Sequence, residues 1–314
     1  MNILFIMDPL EKLDPVWDNT LHLLAEMHTR GHHCWSADAQ DIWAGGKNVY
    51  ASARRLAGSK DRRIYTPGLT AVKNIESFGL VVFRKEPPVD LNFLYLTYLL
   101  ERAADKVPMV NHPGGIRNTN EKISTLGFPA HIPGTIITAS PARILEFQKR
   151  AGTDLVIKPL NQKSGTGVFI LRKNDSKTRK NLEEASDGGK TFILAQKRLI
   201  NQFHPGEKRI LILNGRLLAA YEKRPAPNEF RANLSLKGTF HPCEVTRREK
   251  LLVRDLRAYL LREGLYFAGI DTLNEKLLEL NVTCPAGATE AKSLYPGDDP
   301  IKAWASFLER FASR

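Results

Sequence analysis

Residues 267–285 read "FAGIDTLNEKLLELNVTCP", two apolar runs around a short polar turn, with Asp271, Glu279 and Asn281 set among residues that belong in a core. Side chains two apart on a strand share a face. Glu279 and Asn281 therefore project together, while Leu278, Leu280 and Val282 project into the core. On the partner strand Ile270 belongs with that core, which leaves Asp271 on the side of Glu279. A strict two-residue turn at Asn274 and Glu275 would put Asp271 on the wrong face, so the pattern demands an odd-numbered loop or a bulge around residues 274–276. Two carboxylates and an amide oxygen on one face repel one another unless a cation sits between them, and hard oxygen donors suit Mg²⁺. A solvated outer sheet face is the commoner meaning of such alternation, and the hairpin alone favours it.

The rest of the chain supplies a setting. Its 314 residues allow roughly two or three domains, and 42% hydrophobic with 25% charged residues is ordinary for a globular protein. The longest apolar runs, 3–7 and 80–83, are far too short to span a bilayer, and the amino terminus shows no basic leader, so a cytoplasmic protein is expected. Cys34, Cys243 and Cys284 stand in no metal-ligand spacing and are expected to be buried small residues. The net charge of +12 invites a nucleic-acid reading, but it is spread along the chain without a nucleic-acid motif, and a basic surface can equally attract anionic metabolites such as nucleotides; the charge alone decides nothing.

Apolar strands at 2–7 and 79–85, a further one at 107–113, and helices at 20–29 and 92–104 alternate in the first part of the chain. That alternation implies a parallel sheet with crossover helices, whose ligands gather at the carboxyl ends of the strands. The middle changes to strand pairs: 155–173 around a polar loop containing glycine, 191–200, and 208–224 around Asn214-Gly215, a strong hairpin signal. Residues 225–240 lack periodicity and read as a long loop of the kind that serves as a lid. A helix at 248–264 stops at Gly264, and another covers 303–311; no internal repeat is visible.

Lys158 ends an apolar strand just before the polar loop, and Lys122 and Arg209 are further candidates for phosphate contact. With a metal-type carboxylate set they fit a nucleotide triphosphate site, in which cations and Mg²⁺ neutralise the transferring phosphate. No Walker A pattern, dinucleotide fingerprint or kinase signature is present.

"LVIKPL", "GTGVF", "ILAQKRL", "GEKRILILNG" and "GIDTLNEKLLELNVTCP", in that order, resemble the ATP-grasp ligases. "FIMDPLEKL", "FRKEPPVDLNFLYLTYLLE", "VNHPGGIRNTNEK" and "ELNVTCPAG" resemble the prokaryotic glutathione synthetases nearly phrase for phrase, over almost the whole chain. The resemblance implies an α/β and α+β protein. Its parts are a Rossmann-like parallel-sheet domain (1–118), a central ATP-grasp subdomain (119–195), and a carboxyl-terminal subdomain (196–314) carrying the lid at 225–240 and the metal hairpin at 267–283. It implies phosphorylation of a carboxylate by ATP, then attack of an amine on the acyl phosphate, with γ-glutamylcysteine as acid and glycine as amine.

The site it implies is as follows. Lys122, Lys158 and Gly165 hold phosphate, Gln196, Lys197 and Leu199 line the adenine pocket, and Arg209 and Arg224 face the phosphate and the acyl phosphate. Arg84 lies near the dipeptide, Arg231 and Asn233 belong to the lid, and Asp271, Glu279 and Asn281 hold Mg²⁺ as two ions, with Mn²⁺ as a substitute. A homo-tetramer without membrane or nucleic-acid partners is implied as well. Three departures bear on the substrate. The family's glycine loop, close to "GMGG", is here Gln162-Lys163-Ser164-Gly165. Ala232 replaces the glycine after the lid arginine, and "AGATEAKSLYPGDD" lacks the arginine of the family's "TGIREIE". A related ligase joining another acid to an amine is therefore the alternative.

Overall fold

The structure, a computed structural model, describes residues 1–58, 65–162, 165–173, 175–200, 206–232 and 236–313. The first unit contains β1 (Asn2–Met7), α1 (Asn19–Thr29), β2 (His33–Ala37), β3 (Ile42–Gly45), β4 (Asn48–Gly58), β5 (Tyr65–Asn74), β6 (Leu80–Arg84), α2 (Leu91–Ala104), β7 (Met109–Val110) and α3 (Pro113–Asn118). Its sheet runs β3-β4-β2-β1-β6-β7, with β5 on β4. The centre is parallel, as the alternation implies: β1 pairs with β2 and β6, and β6 with β7. β1 and β6 are buried on both faces, which is why they read as unbroken apolar runs. Asp18 and Asp90 start the two long helices by accepting backbone N–H groups in the first turn. The antiparallel extension β3–β5 departs from a purely parallel expectation; its strands carry arginines and polar residues because β5 is largely exposed.

The second unit, β8 (Thr135–Thr138), α4 (Pro141–Ala151), β9 (Leu155–Pro159), β10 (Phe169–Leu171), α5 (Ser176–Ala185) and β11 (Ile193–Lys197), is an antiparallel sheet in the order β10-β9-β11-β8. Ile144, Leu155, Ile157, Leu171, Leu182 and Ile193 form its small core. The third unit comprises β12 (Glu207–Leu213), β13 (Arg216–Arg224), β14 (Thr239–His241), α6 (Arg247–Arg262), β15 (Phe267–Leu273), β16 (Lys276–Asn281), α7 (Ala288–Leu294) and α8 (Pro300–Ala312). Its antiparallel sheet runs β14-β13-β12-β15-β16. A capping box between Thr246 and Glu249 opens α6, and Gly264 at φ 66° follows its end. Leu252, Leu256 and Leu260 of α6 cover one sheet face with Ile210, Ile270, Leu277 and Leu280. The other face is left for the cleft.

The first and third units are joined by side chains rather than by a linker. Buried Asn111 donates to the backbone oxygens of Phe267 (2.7 Å) and Val282 (2.9 Å), and its own oxygen accepts from Phe267 N at 2.9 Å. It thereby satisfies backbone groups at the entrance of β15 and the exit of β16. Trp304 of α8 stacks on Phe267 at 3.8 Å and lies in the same core as Ile3, Phe5 and Leu24. No helix among the described residues is long and apolar enough to cross a membrane.

The joint leaves no room at Gly115, where an added Cβ would stand 1.8 Å from the backbone oxygen of Glu263. Gly115→Ala should destabilise the protein by roughly 1–3 kcal/mol through overpacking. A clearly lowered urea midpoint checks this; an unchanged midpoint would show that the two units are not in tight contact there.

Candidate active site

Both hairpins of the third sheet turn on two residues with left-handed backbone, Asn214-Gly215 (φ 51° and 69°) and Asn274-Glu275 (φ 49° and 61°). Each then takes one extra residue into its second strand. Leu211 pairs with Ala219 and Ile212 with Leu217, so Leu218 is bulged; Asp271 pairs with Glu279 and Thr272 with Leu277, so Leu278 is bulged. The bulge at Leu278 is the irregularity that the positions of the carboxylates demanded. It also corrects one expectation: Leu277 is the core residue, while Leu278 turns to the cleft. The result is a row of directly opposed residues across four strands, Tyr221, Arg209, Asp271 and Glu279.

Charges in this row are paired tightly. Arg209 grips Asp271 with Nε (2.7 Å) and Nη2 (2.9 Å), and Lys223 Nζ lies 3.0 Å from the same carboxylate and 2.5 Å from Glu207. Burial alone would push the Asp271 carboxyl up, but Arg209 and Lys223 outweigh it and hold it well below the usual carboxylate range. Burial opposes the charge on Lys223 too, and Asp271 with Glu207 reverses that, raising it. Asn281 Nδ2 donates to Asp271 at 3.2 Å, so the atom it can offer a cation is its oxygen.

The opposite wall comes from the second sheet and the segment before it. Lys158, on β9, donates to Gln196 Oε1 at 3.3 Å, and burial pushes its ammonium pKa down. Lys122 Nζ lies 2.8 Å from Glu279 and 2.9 Å from the backbone oxygen of Gln162. Glu121 accepts from the backbone of Val282 and Thr283 and from the Thr283 hydroxyl (2.9 Å); burial, then the charge of Glu279, push its carboxyl up. Arg231 is gripped by Glu229 and reaches the backbone oxygen of Gly165 at 3.0 Å, which ties the segment after β13 to the segment before β10. Glu229 is held at about 2 by these contacts. Together the walls enclose a cleft of ≈ 480 Å³.

Lys122, Lys158, Gly165, Gln196, Lys197, Leu199, Arg209, Arg231, Asp271, Glu279 and Asn281 all line this cleft. Two expected site residues do not, and a third is not among the described residues. Arg84 is buried behind it, donating to Thr20 at 3.1 Å and lying over the Trp304 ring, because it ends a strand with both faces covered. Arg224 bonds Glu222 instead (2.8 Å). Without the bulge at Leu218 Arg224 would share the face of Arg209; with it, Lys223 does. Asn233, like Lys163 and Ser164, lies outside the described residues. The reading from sequence missed Lys223, Glu207, Glu121 and Glu229. It took Cys284 for a core residue, whereas Cys284 lines the cleft with its thiol against the Arg84 backbone oxygen at 3.3 Å.

The donor set suits a hard divalent cation. Glu279 and Asn281 offer oxygens at the cleft beside Asp271, and among the described residues no group of three His, Cys, Asp or Glu converges as a complete metal cage. Mg²⁺ bound through few protein oxygens, completed by phosphate and water, fits such a set.

Residues 1–117 match the family model "Prokaryotic glutathione synthetase, N-terminal domain", and residues 121–296 match "Prokaryotic glutathione synthetase, ATP-grasp domain". The chain is 33% identical over 305 residues to the glutathione synthetase of Thermosynechococcus vestitus, covering 94% of this chain and 95% of that one. To the enzyme of Synechococcus elongatus it is 31% identical, covering 99% and 100%. Among solved structures, D-cycloserine synthetase DcsG superposes with a TM-score of 0.68 at 15% identity over 98% of this chain and 99% of that one. ATP-grasp ligase PsnB, complexed with minimal precursor, Mg and ADP, gives 0.62 at 14% identity over 99% and 97%. The chain belongs to the prokaryotic glutathione synthetase family and has the ATP-grasp fold.

The two hairpin cations separate experimentally. Lys223→Met leaves Glu207 and Asp271 short of a buried partner and should lower turnover at least about 100-fold. Arg224→Met removes a part-exposed pair worth up to about 1 kcal/mol and should keep turnover within roughly fivefold of wild type. Steady-state kinetics decide, and the reverse order of severity would refute the assignment of faces.

Proposed function

We propose that this member of the family makes glutathione: ATP phosphorylates the cysteinyl carboxylate of γ-glutamylcysteine, and the amine of glycine displaces phosphate from the acyl phosphate. ADP, phosphate and the new amide leave. The observation that carries the reading is the charged row facing the buried lysines, Arg209, Asp271 and Glu279 against Lys122 and Lys158, in one cleft. A row of fixed charges around a cleft can stabilise a transferring phosphoryl group without reorganising during the reaction.

In this reading the segment from Gln196 to Leu199 takes the adenine, and Lys122, Lys158 and Arg209 take the phosphates. Asp271, Glu279 and Asn281 hold Mg²⁺, as two ions that Mn²⁺ can replace. The metal supplies neutralisation of phosphate charge. Lys223 fixes the Asp271 carboxylate and keeps the cationic side of the row in register. Arg231, tied to Gly165, draws the start of the lid over the glycine loop, which shields an acyl phosphate from water. A tetramer in a cytoplasmic setting belongs to the same reading.

One observation favours the alternative of a different acid substrate. Where the family carries an arginine, α7 has Thr289, which is buried and spends its hydroxyl on the Trp17 backbone oxygen and the Glu290 carboxylate. Among the described residues, that position of α7 offers no cation to a substrate carboxylate. ADP release with γ-glutamylcysteine and glycine, each omitted in turn, with the product read by mass, separates the two. Glutathione and ADP only in the complete mixture are expected; turnover only with another acid would select the alternative.

Glu279→Gln should lower kcat/KM for Mg-ATP by about 10²–10³ while the circular dichroism spectrum is retained. Unchanged kinetics would remove Glu279 from the metal set.

A further inference from the structure

We propose that the Lys122–Glu279 ion pair is the specificity element by which the cleft selects a metal–nucleotide complex over free nucleotide or free metal. The inference rests on the functional reading above and assigns these two residues a role in discrimination.

Lys122 Nζ is shared between Glu279 Oε1 (2.8 Å) and the Gln162 backbone oxygen (2.9 Å), and the lysine side chain is only 5% exposed. One ammonium therefore ties the metal hairpin to the loop that leads into the glycine segment. The backbone around it is pinned to the same hairpin: Leu280 N donates to the Glu121 oxygen at 2.8 Å, and the Glu121 side chain holds Val282 and Thr283. Lys122 therefore cannot withdraw as a unit from Glu279. Its ammonium can only change partners.

Each incomplete ligand leaves a charge stranded. A free polyphosphate that draws Lys122 to itself turns the Glu279 carboxylate, without its counter-charge, toward more negative charge. A free divalent cation that takes Glu279 displaces a mostly buried ammonium onto one carbonyl oxygen, that of Gln162. Buried charges without partners are costly. A metal–nucleotide complex answers both ends at once, with cation to Glu279 and phosphate to Lys122. The exchange is balanced in charge and releases the tie to Gln162.

Calorimetry with ADP, in Mg²⁺ or in EDTA, and Mn²⁺ titration without nucleotide test this. For Glu279→Gln we expect ADP in EDTA to bind about tenfold tighter than to wild type, while Mg-ADP binds more weakly. For Lys122→Met we expect nucleotide-free Mn²⁺ to bind about tenfold tighter, and Lys158→Met to leave it within about twofold. A circular dichroism spectrum matching wild type for each variant controls for folding. If Glu279→Gln leaves metal-free ADP binding unchanged or weaker, Glu279 is a metal ligand only and the proposal fails. Equal effects of Lys122→Met and Lys158→Met on Mn²⁺, or no Mn²⁺ binding to Lys122→Met, would also overturn it. If wild type binds no nucleotide even with Mg²⁺, the functional reading itself falls.

Discussion

The Asp271 carboxylate, held by Arg209 and Lys223 at 2.7–3.0 Å, is the interaction on which the rest of the site depends. An anion this far from water is tolerated only where cations and hydrogen bonds answer all of its charge. The answer here comes from two neighbouring strands and from Asn281 of the next hairpin arm. That network fixes the direction of the row from Tyr221 to Glu279, so the cleft presents its charges at set positions before any ligand arrives. It also explains why the sheet is irregular in two places. Without an extra residue in each hairpin, Lys223 and Glu279 would turn toward α6, and Asp271 would lack both its second cation and its acidic neighbour.

Position of the cleft follows from packing. α6 takes one face of the third sheet with its leucines, leaving the other face to charged residues. Asn111 and the Phe267–Trp304 stack then lock the floor of the cleft to the first unit, so that Glu86 and Pro87, just beyond the carboxyl end of β6, complete one wall. The second sheet contributes Lys158 and the segment at Gln196 from a separate small core. Its described links to the floor are mostly polar, through Lys122, Gln162 and Arg231. A unit joined in this way can shift when ligand changes the charge balance, whereas one fused by a shared apolar core resists it.

Much of this was legible in the sequence, and the failures have a common physical origin. The parity of Ile270, Asp271, Glu279 and Asn281 required an irregular hairpin, and the bulge at Leu278 supplies it. The parallel centre of the first sheet and the helices at its sides followed from apolar runs alternating with helical spacing. Arg224, which the resemblance gave as facing the acyl phosphate, stands off the cleft face because the bulge at Leu218 reverses the register of its strand, and no local periodicity announces a bulge. A signal was nevertheless available: "NGRLL" and "NEKLL" share a turn, a basic residue and two leucines, and the second leucine is the extra residue in both. Arg84 stands behind the cleft for another reason. A strand-end arginine beside a cleft and one stacked on Trp304 look identical until α8 returns across the chain. Likewise β3–β5 is an exposed antiparallel extension whose polar residues give little contrast between its faces.

The account stands on carboxylate activation in this cleft, and oxygen tracing tests it most directly. γ-Glutamylcysteine carrying ¹⁸O in its cysteinyl carboxylate is turned over with Mg-ATP and glycine, and the released phosphate is read by mass. An acyl phosphate requires one carboxylate oxygen to leave with phosphorus, so phosphate bearing a single ¹⁸O is the predicted result. Phosphate free of ¹⁸O, formed alongside labelled product, would contradict the account.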